Sequence, residues 1–584
     1  MKQVLILFLL SFTTFAQSVI QNNTSSIILT PNGVRTTYTA GYDSTNTSAG
    51  ADALKFNVGK KYNTAFGANA LKNNSINAPS IGDSENNAAF GYNALLANTT
   101  GNDNVAVGAK VLEVSSIGFN NVGIGSMALN KSTTATNNVA VGYSALTANL
   151  TGSFNVAVGG NSLAKNAFGV DNTAIGYFAL NANTSSYNTS VGRNALGSNT
   201  TGLSNTAVGH RSLNNNTTGL GNVSLGRSAN YTNTTGSYNV AIGAFSLYSN
   251  TTSDKNISIG DSAMFFNSTG YNNIAIGRLA NAFATSSYHN IAIGDSALYD
   301  NTSGNRNVAI GKNAMRNTVY ATNNIALGEN ALYNTFTNDN VAIGKNSLYK
   351  SAGGYENISI GTNNSYANID GNHNTAIGNY AMYANTNGSR NVVLGYKAGY
   401  GFSGNDYLLI ENSDSSQVLI SGNFAVNRVG INRAAGAILN RTETFQVNGS
   451  AYKNDGSGNW NFTSDRRLKT NIQALDSQEM LNKIIHLQGV TYEWNDNITS
   501  EQRPKGTMHG FIAQNIEEVF PTKVQRDSKG YLSSSYGDFD PMIIESIKAL
   551  NQKIENLQNE NLQLKSHNEK LLKRLDNIEA RLNN

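Results

Sequence analysis

The chain has 584 residues, with 41 Lys and Arg against 37 Asp and Glu, a net charge of +4, 56 Gly, 5 Pro and no Cys. Only 13% of residues are charged, so there is no excess of the kind that nucleic acid or an acidic partner requires, and disulfides contribute nothing to stability. This length calls for two or more structural units rather than one core.

Residues 1–16 read MKQVLILFLLSFTTFA. Lys2 supplies a positive start, Val4 to Phe15 an apolar run, and Thr14-Phe15-Ala16 a small-residue cleavage site before Gln17, the pattern of a secretory signal. The run is too short to span a membrane comfortably, and no later stretch reaches 18 apolar residues. The expectation is an exported chain, extracellular or at a cell surface, with no transmembrane segment after signal removal. Residues 17–62 read as an irregular β cap.

Between 63 and 399 one phrase recurs: Asn, then Val, Ile or Thr, then a small residue, then an aliphatic, then Gly, as in NVAVG at 138–142 and NIAIG at 290–294. It occurs in twenty copies, closing at Gly67, Gly91 and onward to Gly395. The spacing is 24 residues once and then 17, except for two intervals of 16 ending at Gly192 and Gly344. A fixed period of this length means stacked rungs, each unable to bury its own core. Twenty rungs at roughly 4.8 Å make a rod on the order of 95 Å long. Val139 and Val141 share one face of a short strand and are expected to fill a narrow core. The residue between them is Ala, Ser or Gly in every copy but the last, where it is Val393; it is expected to face a neighbouring subunit. The invariant opening Asn predicts a ladder of side-chain amides, and Gly a tight bend. A small-then-large pair such as Ala145-Leu146 follows, and then Asn-Thr-Thr-Gly turns. No Pro falls within the regular array, as a continuous parallel ladder requires.

The NxAIGxxA phrase resembles the head repeats of trimeric autotransporter adhesins. The resemblance implies a left-handed parallel β-roll with three chains side by side, although those repeats are usually shorter. It does not extend to the adhesins' membrane-barrel anchor, so it bears on roll and trimer more than on adhesion. His210, His289 and His373 are far apart in the repeat, and SGNDYLL at 403–409 is a single copy of a calcium-type turn, so no metal and no cofactor is expected.

Residues 400–463 carry short alternating runs split by Gly and Asn and read as a β-rich neck. Of the 78 charged residues (41 + 37), 33 fall in the last 121 positions, which marks a boundary near Ser464. Three segments then follow in order: SDRRLK at 464–469, HGFIAQNIEEVFP at 509–521, and DFDPMIIESIKALNQKIENL at 538–557. Together they resemble the carboxy-terminal intramolecular chaperone of endosialidases, which is also found behind phage tail fibres and on membrane-bound transcription factors. The resemblance covers roughly residues 460–560 and implies a domain that trimerises, helps the upstream fibre fold, and cuts itself off before the serine. It assigns Ser464 as nucleophile, Lys469 as general base and Thr463–Ser464 as the scissile bond. Asp465, Arg467 and His509 stand as supporting residues, although His509 is better accounted for as a structural histidine. A lysine near its ordinary pKa of about 10.4 is charged and cannot accept a proton; burial and positive charge from Arg466 or Arg467 are what would change that. Without this context, SDRRLK reads as a solvated basic turn.

Asp476 and Glu479 suit a capping box for a helix carrying Leu481, Ile484 and Ile485, and Val490, Tyr492 and Trp494 alternate as a strand. The tail is a heptad. Ile547, Ile554, Asn561, Asn568, Leu575 and Leu582 take the a positions, and Ile543, Leu550, Leu557, Leu564, Leu571 and Ile578 take d. Ile at a with Leu at d points to two strands, and buried Asn561 and Asn568 to a fixed register. The roll and the chaperone resemblance ask for three chains.

The expected architecture is therefore mostly β and homotrimeric: a parallel β-roll or β-solenoid shaft of ~17-residue rungs, a β-rich neck, a small α+β chaperone domain (464–542) and a helical coiled coil (543–584). The expected function is that of an exported tail-fibre-like or adhesin-like trimer whose chaperone is released by one autoproteolytic cut in cis, a self-processing serine endopeptidase with no other activity. The alternative is a non-cleaving surface adhesin binding a receptor or glycan along its shaft. A carbohydrate-cleaving tailspike would need paired carboxylates on one groove, and Asp261, Asp295 and Glu329 are scattered.

Overall fold

The computed structural model describes residues 45–75, 83–440, 443–448, 465–495, 505–527, 530–534 and 539–583. The signal segment lies outside these. The chain divides into two units, one ending at Ser415 and one beginning at Ser416.

The first unit is a parallel β-solenoid. Twenty-one three-residue strands, β1 (Thr47–Ala49) to β21 (Val392–Leu394), pair in parallel, each with the next in the chain, and β22 (Tyr407–Ile410) extends the ladder by one more. Register is set residue to residue, with Val139, Ala140 and Val141 opposite Val156, Ala157 and Val158. The ladder thus begins inside the segment read as a cap and ends inside the segment read as neck. The first rung was hidden because Asn46–Gly50 carries Ala49 where later copies carry a large aliphatic or Phe.

The asparagine ladder is continuous. Asn155 donates its backbone N–H to Asn138 Oδ1 at 3.0 Å and its Nδ2 to the same oxygen at 3.2 Å, and Nδ2 also reaches the turn carbonyl of Gly169 at 2.9 Å. The backbone bond repeats from Asn63 on Asn46 to Tyr407 on Asn391 without a break, through both 16-residue rungs. A second ladder runs beside it through the turns: Asn216, Asn233 and Asn250 each donate Nδ2 to the Asn one rung earlier at 2.7–2.8 Å. Next to the first ladder the closing glycines stack. Gly142 has φ +136°, and a Cβ there would sit 2.7 Å from the Gly159 carbonyl carbon, so only Gly fits.

The pleat is the reverse of the expectation. Ala140 and its equivalents are fully buried, whereas Val107, Ile124 and Ile175 on the flanking positions are 37–41% exposed. The middle residue is small because it faces the interior, not a neighbouring subunit. The aliphatic pair faces outward, and the bulk of the core comes from the other side of the rung. There Ala145 and Leu146 are both fully buried, which consecutive residues of a regular strand cannot achieve. Left-handed backbone at Ser144 (φ 53°) and Leu146 (φ 51°) makes it possible. Inter-rung bonds persist, Ser144 N–H to Ser126 O at 3.0 Å and Leu146 N–H to Ser162 O at 2.9 Å. At the position that follows Leu146 in its rung, tyrosines 333, 349, 366, 383 and 400 of later rungs stack ring on ring with centroids 4.9–5.2 Å apart, the spacing of the rungs.

The exceptions are compensated in volume. Where Val111 replaces the usual Ala of the small-large pair, the strand residue shrinks to Gly123, whose added Cβ would meet Val111 Cγ1 at 2.5 Å. Val393, the one large middle residue, coincides with Gly399 in place of the buried Leu.

The second unit opens with an antiparallel pair, β23 (Gln417–Asn423) and β24 (Arg428–Ala434), with β25 (Phe445–Val447) parallel to β24 and a 3-10 turn, Ala435–Asn440, burying Ile438. Further on come a 3-10 turn at Arg466–Leu468, helix α1 (Ser477–Ile484), strands β26 (Val490–Tyr492) and β27 (Met508–Gly510), helix α2 (Ala513–Val519), strands β28 (Val524–Arg526) and β29 (Leu532–Ser534), and the 43-residue helix α3 (Asp540–Leu582). Both strand pairs are antiparallel. Among the described residues no helix is long and apolar enough to cross a membrane.

The volume match at Gly123 yields a test. Gly123→Ala alone is expected to destabilise the shaft by about 1–3 kcal/mol through overpacking, and Val111→Ala in the same chain to recover most of that loss. Denaturant unfolding of both variants checks it; a Gly123→Ala defect that persists in the double variant contradicts the packing described.

Candidate functional site

Thr463 and Ser464 lie outside the described residues. The turn that follows them begins at Asp465, which caps Arg466–Leu468 by accepting the backbone N–H of Arg467 at 2.8 Å. Its carboxylate also accepts Arg467 Nη2 at 2.7 Å. The Arg467 guanidinium holds the Asp465 carboxyl below its ordinary range. Lys469 is the C-cap, its N–H bonded to Arg466 O at 3.2 Å, and its side chain is exposed. In a single chain, then, the turn brings Asp465 and Arg467 together, ties up one of the two arginine charges, and leaves the Lys469 side chain exposed.

His509 sits on β27, exposed, paired across the ladder with Thr491 of β26. Trp494 packs its ring edge-on to Tyr492 at 5.3 Å but lies beyond the end of β26.

The remaining motif residues build a small core. Met480 from α1, Ile516 and Phe520 from α2 and its end, and Phe539 ahead of α3 are buried together, with Phe511, Val519, Val524 and Met542 against them. Phe520 and Phe539 meet edge to face at 5.6 Å. The HGFIAQNIEEVFP segment thus supplies packing: Phe511, Ile516, Val519 and Phe520 all point at one cluster. DFDP does likewise through Phe539, with Pro541 in the first turn of α3 where its missing N–H costs nothing. Asp476 caps α1, accepting Glu479 N–H at 2.7 Å, while the Glu479 carboxylate goes to Lys483 at 2.6 Å instead of back to the cap. Of the helix residues named from sequence Leu481 is buried, Ile484 packs against the cluster and Ile485 is 66% exposed; Met480, not named, is the helix residue buried in the cluster.

Residues 464–525 match the family model of the chaperone of endosialidase. The match follows the β-solenoid in the chain and takes in the first two of the three motifs, while the third, at 538–557, lies beyond it; it begins at Ser464, the first residue after the bond proposed for cleavage. No curated protein matches the chain.

Sequence reading missed one contact in the chaperone domain. Ser477 Oγ donates to Glu545 Oε2 at 2.6 Å, tying α1 to α3 across 68 residues. Lys548 first, and Ser477 second, keep the Glu545 carboxyl below its ordinary range. The helical phase of Glu545, opposite the heptad seam, was the available signal.

Because Phe520 is the ring shared by α2, α3 and the Lys483 ammonium 5.8 Å from its centre, Phe520→Ala is expected to cost about 3–5 kcal/mol. Asp476→Ala, which removes only a cap, should cost about 1 kcal/mol. Thermal unfolding of the two variants checks the order; equal losses would place the core elsewhere.

Proposed function

We propose that this protein is an exported, homotrimeric, tail-fibre-like or adhesin-like fibre whose chaperone domain assists trimerisation and is then released by autocleavage before Ser464. The observation that carries this reading is the chaperone match beginning at Ser464, placed behind a 22-strand parallel solenoid.

Two surfaces support assembly. The outward pair repeats along the shaft, from Val105 and Val107 to Val392 and Leu394, on three-residue strands of one register; both residues are aliphatic except where Thr173, Thr189, Thr206 and Thr375 take the first position. That face is about 80 Å long and roughly 7 Å wide, an area at the upper end of the ~300–600 Å² of the largest apolar patch on typical monomers. On α3 the heptad residues Leu550, Ile554, Leu557, Leu564, Leu571 and Leu575 are all exposed in the single chain. A seam of this kind is stable in water when another helix covers it.

In the cleavage step Ser464 Oγ, losing its proton to Lys469, attacks the Thr463 carbonyl carbon. The Thr463–Ser464 C–N bond breaks as the amine takes a proton, leaving an ester on Oγ. Water hydrolyses the ester to the Thr463 carboxylate and a free Ser464 amino terminus. Lys469 must first lose its solvent, since a neutral amine is the acting base. Its exposure in the single chain fits a cut that waits for three chains to close around the turn.

Expression of the full chain as wild type and as Ser464→Ala, followed by denaturing mass spectrometry, tests the reading. The wild type is expected to release a fragment of 121 residues (584 − 463) beginning at Ser464, and the variant to stay whole. Intact chains in both cases would reduce SDRRLK to a capped turn and favour the non-cleaving adhesin.

A further inference from the structure

The whole-chain charge conceals a local one. Between Glu113 and Asp254 the only acidic residue is Asp171, against Lys131, Lys165, Arg193, Arg211 and Arg227, an excess of +4 (5 − 1) that equals that of the entire protein. All five cations, with His210, fall within six residues after a closing Gly, the stretch of the rung that also carries the buried small-large pair, and all six are exposed. Asp171 stands elsewhere, before ladder Asn172. The position after the closing Gly shows what is unusual. Further along the shaft it holds Asp261, Arg278, Asp295, Lys312, Glu329 and Lys345 on six successive rungs, each charge beside its opposite, with Arg278–Asp295 at 3.0 Å and Lys345–Glu329 at 2.9 Å. On three successive rungs upstream it holds Arg193, His210 and Arg227, and Arg211, beside His210, donates its backbone N–H to Arg193 O at 3.0 Å. Among the described residues none of the six side chains takes part in an ion pair. The Arg193 and Arg227 guanidiniums lie instead over the rings of Tyr177 at 5.9 Å and Phe245 at 4.5 Å, contacts that hold a cation without neutralising it.

We infer that this basic stretch of the shaft binds an acidic polysaccharide laid along the rungs, with its carboxylates or sulfates against the unpaired cations. The class of polymer rests on the export reading above, since such glycans are met outside the cell; the site itself rests on the charges. Like charges repeated a rung apart, about 4.8 Å, repel one another and do nothing for the isolated shaft. The alternating column downstream shows that the same backbone position can be made self-neutral, so the unopposed run is a surface complementary to an anion. Its charge density selects among polyanions. From Lys131 to Arg227 is six rung steps, about 29 Å. Five fixed charges over that length are sparse beside duplex DNA, which carries about one charge per 1.7 Å, and match a polymer charged on each sugar or on every second one. Tyr143 and Tyr177, which occupy the same position two rungs apart, are 59% and 50% exposed. Their rings offer apolar surface to the C–H faces of sugars and a hydroxyl to their oxygens.

The test measures binding of the full-length protein to immobilised polygalacturonate and chondroitin sulfate, with dextran, polyglutamate and duplex DNA alongside. Wild type is expected to bind at least one of the two acidic polysaccharides and not neutral dextran, with affinity falling as salt rises. Arg193→Gln, Arg211→Gln and Arg227→Gln together should lower that affinity about tenfold or more. Arg278→Gln, Lys312→Gln and Lys345→Gln together remove the same charge from the alternating column and should change it less than about twofold. Equal losses in the two triple variants overturn the location. Equal binding of dextran, or tighter binding of polyglutamate or DNA, overturns the polymer class, and no binding of either acidic polysaccharide overturns the inference outright. Sedimentation and mass spectrometry of the same preparations keep the two readings apart. A trimer cut before Ser464 that binds neither polysaccharide overturns this inference alone, whereas a chain that binds as expected but is neither cut nor trimeric overturns the proposed assembly and cleavage alone.

Discussion

Everything in the shaft depends on one hydrogen-bonding arrangement, the chain of asparagine amides that runs from Asn46 to Asn391. Each Oδ1 takes the backbone N–H of the next Asn and, on most rungs, its Nδ2 as well, and that Nδ2 also satisfies a turn carbonyl. A buried amide left without partners would be costly; here the partners are supplied by the next copy of the same residue. The arrangement works at one rung spacing only. That spacing brings the glycines into carbonyl contact, and the narrow interior beside them holds the middle strand residue to Ala, Ser or Gly wherever a buried Leu faces it.

A shaft so built is satisfied along its length and unsatisfied across its width. Its small-residue core is closed within one chain, but the outward aliphatic face is not, and the same contrast recurs in the chaperone domain, where Met480, Ile516, Phe520 and Phe539 are buried while Leu468, Ile472 and Ile485 are more than half exposed. Parallel ladders close many long-range contacts and fold slowly. Near-identical rungs add a further hazard, because two shafts can associate out of step at small cost. Under the proposed function, the carboxy-terminal module would remove that hazard by gathering the chains before their shafts meet.

The period, the amide ladder, the glycine bend and the order of segments were legible in the residues because each is fixed by chemistry that only one residue type supplies. The direction of the pleat was not. A small-large alternation looks the same whichever face is buried, and the deciding fact, two consecutive inward residues at Ala145 and Leu146, needs a left-handed leucine that no propensity suggests. The exception at Val393 was visible, but its meaning lay six residues away in Gly399. At the candidate site, the motif residues of the chaperone domain were recognised in order, yet most of those lettered positions turn out to be packing. Asp465 and Arg467 were named as neighbours of the nucleophile; that they neutralise each other could be seen only once the capping turn was built.

The glycine column has a consequence for how such a molecule can change. Because each closing glycine abuts the next with no room for a methyl group, and each amide needs a successor one rung away, single insertions or deletions are tolerated only in the connections, as the two 16-residue rungs illustrate. Loss or duplication of a whole repeat, by contrast, leaves every contact type intact. Fibre length is therefore an integer, adjustable in steps of about 4.8 Å, and the gene behaves as a ruler graduated in rungs.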